Sequence, residues 1–131
     1  MAVKVDGTLW AWGDNTYGEI GDGTTNNQYS PEEIGSGYAS VAAGYVHTEA
    51  LSATGELWAW GDNTYGQLGD GTTIQRNAPV QIGSGYAAVT AGGWHTAAVT
   101  PTFNASAWGD NTHGQIGDGT LTQRNAPVPI P

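Results

Sequence analysis

Residues 11–25 read AWGDNTYGEIGDGTT, residues 59–73 read AWGDNTYGQLGDGTT, and residues 107–121 read AWGDNTHGQIGDGTL. From Trp12 to Trp60, and again to Trp108, the spacing is 48. The same offset superposes Pro31, Pro79 and Pro127, then Ile34, Ile82 and Ile130, and it lays SGYASVAAGYVHT at residues 36–48 on SGYAAVTAGGWHT at 84–96. Self-similarity at a period of roughly 20–50 residues is the mark of solenoids and propellers, in which one supersecondary unit buries its faces only by stacking on the next.

Between Ser36 and Ile82 the pattern predicts four short strands, at residues 39–43, 47–52, 56–60 and 78–82. Gly44 separates the first two, and Ala53, Thr54 and Gly55 form a hairpin turn. A long loop rich in Gly, Asp and Asn then leads to the fourth strand. Side chains alternate along a strand, so Leu57 and Ala59 point to one face and Trp58 and Trp60 to the other. Apolar groups on both faces suit a sheet stacked between two neighbours, and four strands per unit describe a propeller blade.

The expected fold is therefore all-β: four-stranded antiparallel blades in an incomplete, non-closing propeller segment. The 131 residues amount to about 2.7 units and form a single repeat array. Residues 1–35 are expected to be a partial blade lacking its innermost strand, and residues 36–83 and 84–131 to be two blades. Such an array leaves apolar faces or strand edges open at both ends, which isolated proteins rarely tolerate. Self-association, or a place in a longer protein, is the expected consequence.

The unit G-x-L-W-A-W-G-D-N-x-x-G-Q-L-G-D-G-T, followed by A-P-V and then A-G-x-x-H-T, resembles the repeat of the regulator of chromosome condensation family. The resemblance spans essentially the whole chain and implies a propeller of about seven four-stranded blades. It also implies a structural, hydrogen-bonding role for His47 and His95. The family's activity, nucleotide exchange on a small GTPase coupled to chromatin binding, would need most of a propeller and a basic tail.

Composition narrows the partners. Three basic residues, Lys4, Arg76 and Arg124, face twelve Asp and Glu, for a formal charge of −9. Binding to nucleic acid or to an anionic membrane is disfavoured, since no cluster of Lys and Arg is present to neutralise phosphates. The absence of Cys excludes disulfides and thiolate metal sites and leaves the compartment open. No apolar run has the length of a signal peptide or a membrane span.

Few residues suggest chemistry. Lacking metal-ligand spacing, His47 and His95 read as structural, and Asp14, Asp22, Asp62, Asp70, Asp110 and Asp118 read as Asx-turn residues before glycines. Groups repeated in every unit point to architecture, so no catalytic, metal or cofactor site is assigned and an enzyme is not expected. Trp12, Trp60 and Trp108, with Gly13, Gly61 and Gly109 beside them, are assigned to the repeat core. Trp58, Trp94 and Phe103 are contact candidates; Trp94 is the foremost because the preceding unit has Val46 there. The third unit has PTFNAS at 101–106 where the second has ATGELW, so a different turn is expected, and Asn104 opens the one N-x-S/T sequon.

The leading functional expectation is a non-enzymatic scaffold that self-associates through open blade edges into a ring or filament. Its Thr-, Asn- and Gly-rich surface resembles that of extracellular microbial scaffolds. Two chains supply about 5.5 units and three about 8.2, neither a whole number of blades. The alternatives are a carbohydrate- or protein-binding propeller fragment and a nucleotide-exchange module.

Overall fold

A computed structural model describes all of Met1–Pro131. It contains eleven strands and no helix: β1 (Ala2–Val3), β2 (Leu9–Gly13), β3 (Gln28–Gly35), β4 (Tyr38–Ala43), β5 (His47–Ser52), β6 (Leu57–Gly61), β7 (Arg76–Gly83), β8 (Ala88–Ala91), β9 (His95–Val99), β10 (Ala105–Gly109) and β11 (Arg124–Ile130). They form three antiparallel sheets in the orders β1-β2-β3, β4-β5-β6-β7 and β8-β9-β10-β11, here called sheets A, B and C. Each is a meander of sequence neighbours, so chain order equals spatial order. The sheets do not close into a ring, and no helix is long and apolar enough to cross a membrane.

The strands form where β-branched, aromatic and small apolar residues alternate, and they stop where the loop demands left-handed backbone. Gly61 and Gly109 end the third strands with φ of 105° in both, a region that L side chains rarely adopt. The close approach of the first hairpin reinforces the requirement: a β-carbon on Gly61 would fall 2.5 Å from the Val46 carbonyl oxygen, and one on Gly109 2.5 Å from that of Trp94. Gly13 has the same kind of backbone, with φ 113°, but sheet A has no such hairpin and the space beside it is open.

The core lies between sheets. Leu9, Ala50 and Trp60 are buried between A and B, with Val3, Ile34, Tyr38, Val41 and Trp58 packed around them. Leu51, Leu57, Ala98 and Trp108 fill the B–C interface. Every residue of β5 is buried because sheet B alone is covered on both faces.

Two expectations need correction. Trp12, assigned to the core with Trp60 and Trp108, is 45% exposed whereas the other two are fully buried. Trp60 points back onto sheet A and Trp108 onto sheet B, whereas Trp12 belongs to sheet A, the first of the three. The PTFNAS segment, in turn, keeps the turn of the preceding unit. Phe103 N–H donates to the Thr100 carbonyl at 3.0 Å as Gly55 N–H donates to that of Ser52 at 3.1 Å, and Phe103 takes the left-handed φ of 65° that Gly55 takes at 86°.

Candidate functional site

Each long loop is organised by one buried asparagine, a role that the motif alone did not reveal. The Asn63 side-chain amide donates to the Thr72 and Ile74 carbonyls and to Asp70 Oδ1, all at 3.1 Å, while its Oδ1 accepts the Leu68 N–H at 3.1 Å. Asn15 and Asn111 make the matching sets around Ile20 and Ile116. The aspartates are Asx-turn acceptors: Asp14, Asp22, Asp62, Asp70, Asp110 and Asp118 each accept the N–H of the Thr two residues on. Asp70 and Asp118 also pair with Arg76 and Arg124 at 2.8 and 2.6 Å. No group of three His, Cys, Asp or Glu side chains is placed to hold a metal ion.

These loops present a face to the following sheet, and the two internal joints repeat one design. At the A–B joint the Glu19 carbonyl accepts Trp60 Nε1–H at 2.9 Å and Thr48 Oγ1–H at 2.8 Å, and Gly23 N–H donates to the Asn77 carbonyl at 2.8 Å. The Trp60 indole lies flat on Gly21, where a β-carbon would fall 2.6 Å from the indole nitrogen. At the B–C joint the Gln67 carbonyl accepts Thr96 Oγ1–H at 2.9 Å, Gly71 N–H donates to the Asn125 carbonyl at 2.8 Å, and Trp108 lies on Gly69 in the same manner. Trp108 differs in leaving its indole N–H without a partner.

The B–C joint also buries two ionisable groups. His47 Nε2 and Thr96 Oγ1 are 3.1 Å apart, and Thr96 Oγ1 is 3.1 Å from Glu49 Oε1. Burial pulls the His47 pKa down to about 4, with His95 adding to the effect and Asp62 opposing it. Burial also pushes Glu49 well up, and the Thr96 contact only partly offsets this. His47 is therefore neutral near pH 7, and Glu49 holds its proton above the usual carboxylate range. Glu49 stands where the third unit has Ala97, and sequence reading passed over it because a single Glu within a polar-apolar run carries no signal of burial. His95, without a following sheet, is half-buried. Both histidines rest on the glycine three residues before them, Gly44 and Gly92.

The contact candidates fall in different places. Trp94 is 42% exposed and forms a cluster with two exposed tyrosines: Tyr45 meets it edge-on at 5.5 Å between centroids and Tyr65 is tilted at 6.1 Å. Neither tyrosine was singled out in the sequence, since they lie 49 and 29 residues from Trp94 and only the stacking of B on C unites them. Trp58 is half-buried against the A–B core. Phe103 is 90% exposed at the tip of its turn, and the neighbouring Asn104 is exposed with its amide donating to Thr102 Oγ1 at 3.2 Å.

Comparison with known proteins fits this architecture. The model of the regulator of chromosome condensation (RCC1) repeat matches residues 6–51 and 54–99, and a second model of that repeat matches 38–67. The chain belongs to the RCC1 repeat family. Among solved structures it is similar to human WBSCR16, at 26% identity and TM-score 0.87 over 98% of this chain and 34% of that one. It is also similar to Prp20p from Saccharomyces cerevisiae, described with its binding to Gsp1p and histones, at 24% identity and TM-score 0.85 over 99% of this chain and 35% of that one. Yeast RCC1 (Prp20) bound by Kap60 gives 22% identity and TM-score 0.87, again over 99% and 34%. The chain thus spans about a third of the length of these propellers.

Proposed function

We propose that the chain is a non-enzymatic interaction module that associates with copies of itself through its uncovered blade faces, building a ring or filament that serves as an extracellular scaffold. The observation that carries this reading is the open face of sheet C. There Ala88, Thr90, Ala97, Val99 and Ala105 line a shallow groove of 150 Å³, on the side where sheet B carries the buried Glu49, Leu51 and Leu57. An apolar sheet face of this kind is an association site. The extracellular setting rests on composition alone and is tested by finding the chain in the medium or in the cells. Light scattering coupled to size exclusion tests the assembly. A mass at a multiple of 13.5 kDa supports it, and a monomer overturns it.

A second reading is favoured by the Tyr45, Trp94 and Tyr65 cluster: a carbohydrate platform on which sugar rings stack. Saturable quenching of tryptophan fluorescence by oligosaccharides, lost in Trp94→Ala, would support it. An unchanged spectrum would dismiss it. Nucleotide exchange coupled to chromatin has less support, because three basic residues and a net charge of −9 oppose attachment to DNA.

A further inference from the structure

We infer that two copies join head to tail by rebuilding the internal blade joint, with Trp12 of one copy seated on Gly117 of the other. This rests on the self-association reading and adds its geometry. The tail of the chain holds the accepting half of a joint with nothing in it. Gln115 stands at the position of Glu19 and Gln67, Gly117 at that of Gly21 and Gly69, and Gly119 at that of Gly23 and Gly71. Neither the Gln115 carbonyl nor the Gly119 N–H has a backbone partner within the chain, and Gly117 is exposed where Gly21 and Gly69 are buried.

The head holds the donating half. Trp12 occupies the position of Trp60 and Trp108 and has nothing over it, whereas the neighbouring Trp10 is capped by the Lys4 ammonium 3.7 Å from its ring centroid. Tyr29, fully exposed, stands where Asn77 and Asn125 offer their carbonyls. Docking head on tail recreates two hydrogen bonds of the internal joint, from Trp12 Nε1 to the Gln115 carbonyl and from Gly119 N–H to the Tyr29 carbonyl. It also covers the apolar groove of sheet C.

Phe103 selects a second copy over a complete blade as the occupant. In the internal joints the hairpin glycine touches the innermost strand of the following sheet: the Gly7 and Gly55 carbonyls accept the Tyr38 and Tyr86 N–H, and a β-carbon on Gly55 would lie 3.0 Å from the Tyr86 carbonyl oxygen. Phe103 puts a whole side chain at that spot, crowding any neighbour that brings such a strand. The three strands of sheet A, β1, β2 and β3, include none at that position. Two copies place six sheets in sequence, within the range of about four to eight blades of propellers, and a heterologous contact of this kind closes into a ring or continues as a filament.

The test compares the native chain with Trp12→Ala and Gly117→Ala by light scattering and sedimentation. Each should weaken association on the order of thirtyfold, the loss expected of a central aromatic anchor. An equimolar mixture of the two variants should recover a dimer held by one intact joint, a result that a symmetric face-to-face contact cannot give. Gly85→Ala controls for backbone strain. Its φ is 82°, close to the 79° of Gly117, a β-carbon there meets open space, and it is not among the residues of the head-to-tail joint, so association should persist. Circular dichroism verifies that each variant is folded. A native monomer would overturn the self-association reading itself. Oligomers that survive both folded variants, or variants that fail to complement, would overturn this joint and leave the broader reading standing.

Discussion

Replacing Glu49 by Gln should expose a pH dependence of stability that the native chain conceals. His47 falls from an ordinary pKa of 6.5 to about 4 on folding, chiefly through burial. Below 6.5 the unfolded chain therefore takes up a proton that the folded chain refuses, and stability drops as the pH falls. At 1.36 kcal/mol per pH unit the whole loss is about 3 kcal/mol, of which about 2 kcal/mol falls between pH 6.5 and 4.5. Glu49 acts in the opposite sense: its buried carboxyl keeps its proton well above the usual 4.5, so stability drops as the pH rises past that value. Above 4.5, over the range in which the folded chain keeps the Glu49 proton, the two slopes oppose each other. In Glu49→Gln the fall of about 2 kcal/mol toward pH 4.5 should appear, and in His47→Gln stability should decline steadily from pH 4.5 upward. Burial also raises Glu19, which adds a smaller trend of the second kind because that side chain is partly solvated. Urea denaturation with linear extrapolation at a series of pH values measures these slopes. A level Glu49→Gln curve over that span would refute the picture of a neutral His47 locked in the joint.

Phe103→Gly should stabilise the chain by up to about 1 kcal/mol by removing left-handed strain, and calorimetry should record a rise of a few degrees in Tm. Asn63→Ala leaves two carbonyls and the Leu68 N–H unpaired and should cost about 3–5 kcal/mol in urea melts. Trp60→Phe keeps the ring on Gly21 but deletes the bond to the Glu19 carbonyl. Thr48 still satisfies that oxygen, so the same assay should show a loss of only about 1–2 kcal/mol.

How much the sequence disclosed follows from which forces act within a unit and which act between units. The four strands expected at 39–43, 47–52, 56–60 and 78–82 were found at Tyr38–Ala43, His47–Ser52, Leu57–Gly61 and Arg76–Gly83, because alternation and turn residues are local. The turn at Phe103 was misjudged for the opposite reason. Its backbone is set by the hairpin pairing of β9 with β10, which holds a Phe in a glycine conformation. Trp12 was misplaced because burial belongs to the stack of sheets and not to the unit. The Asn15, Asn63 and Asn111 networks and the buried Glu49 escaped notice since an amide or a carboxylate announces neither its depth nor its partners in a one-dimensional string.

Where the units differ bears on how they keep their order. The loop residues that build each unit are nearly identical in all three, so the local fold cannot tell one unit from the next. The differences lie on the faces. Position by position, Trp10, Trp58 and Ser106 correspond, as do Gly7, Gly55 and Phe103, and Glu49 corresponds to Ala97. If sheet C packed on A instead of on B, Thr96 would face the short β1 and its contacts with Glu49 and His47 across the joint would be lost. Phe103 likewise obstructs a four-stranded neighbour on sheet C. Substitutions that are neutral or costly within one blade thus separate right from wrong pairings between blades, which is how arrays of near-identical repeats avoid slipped and swapped assemblies.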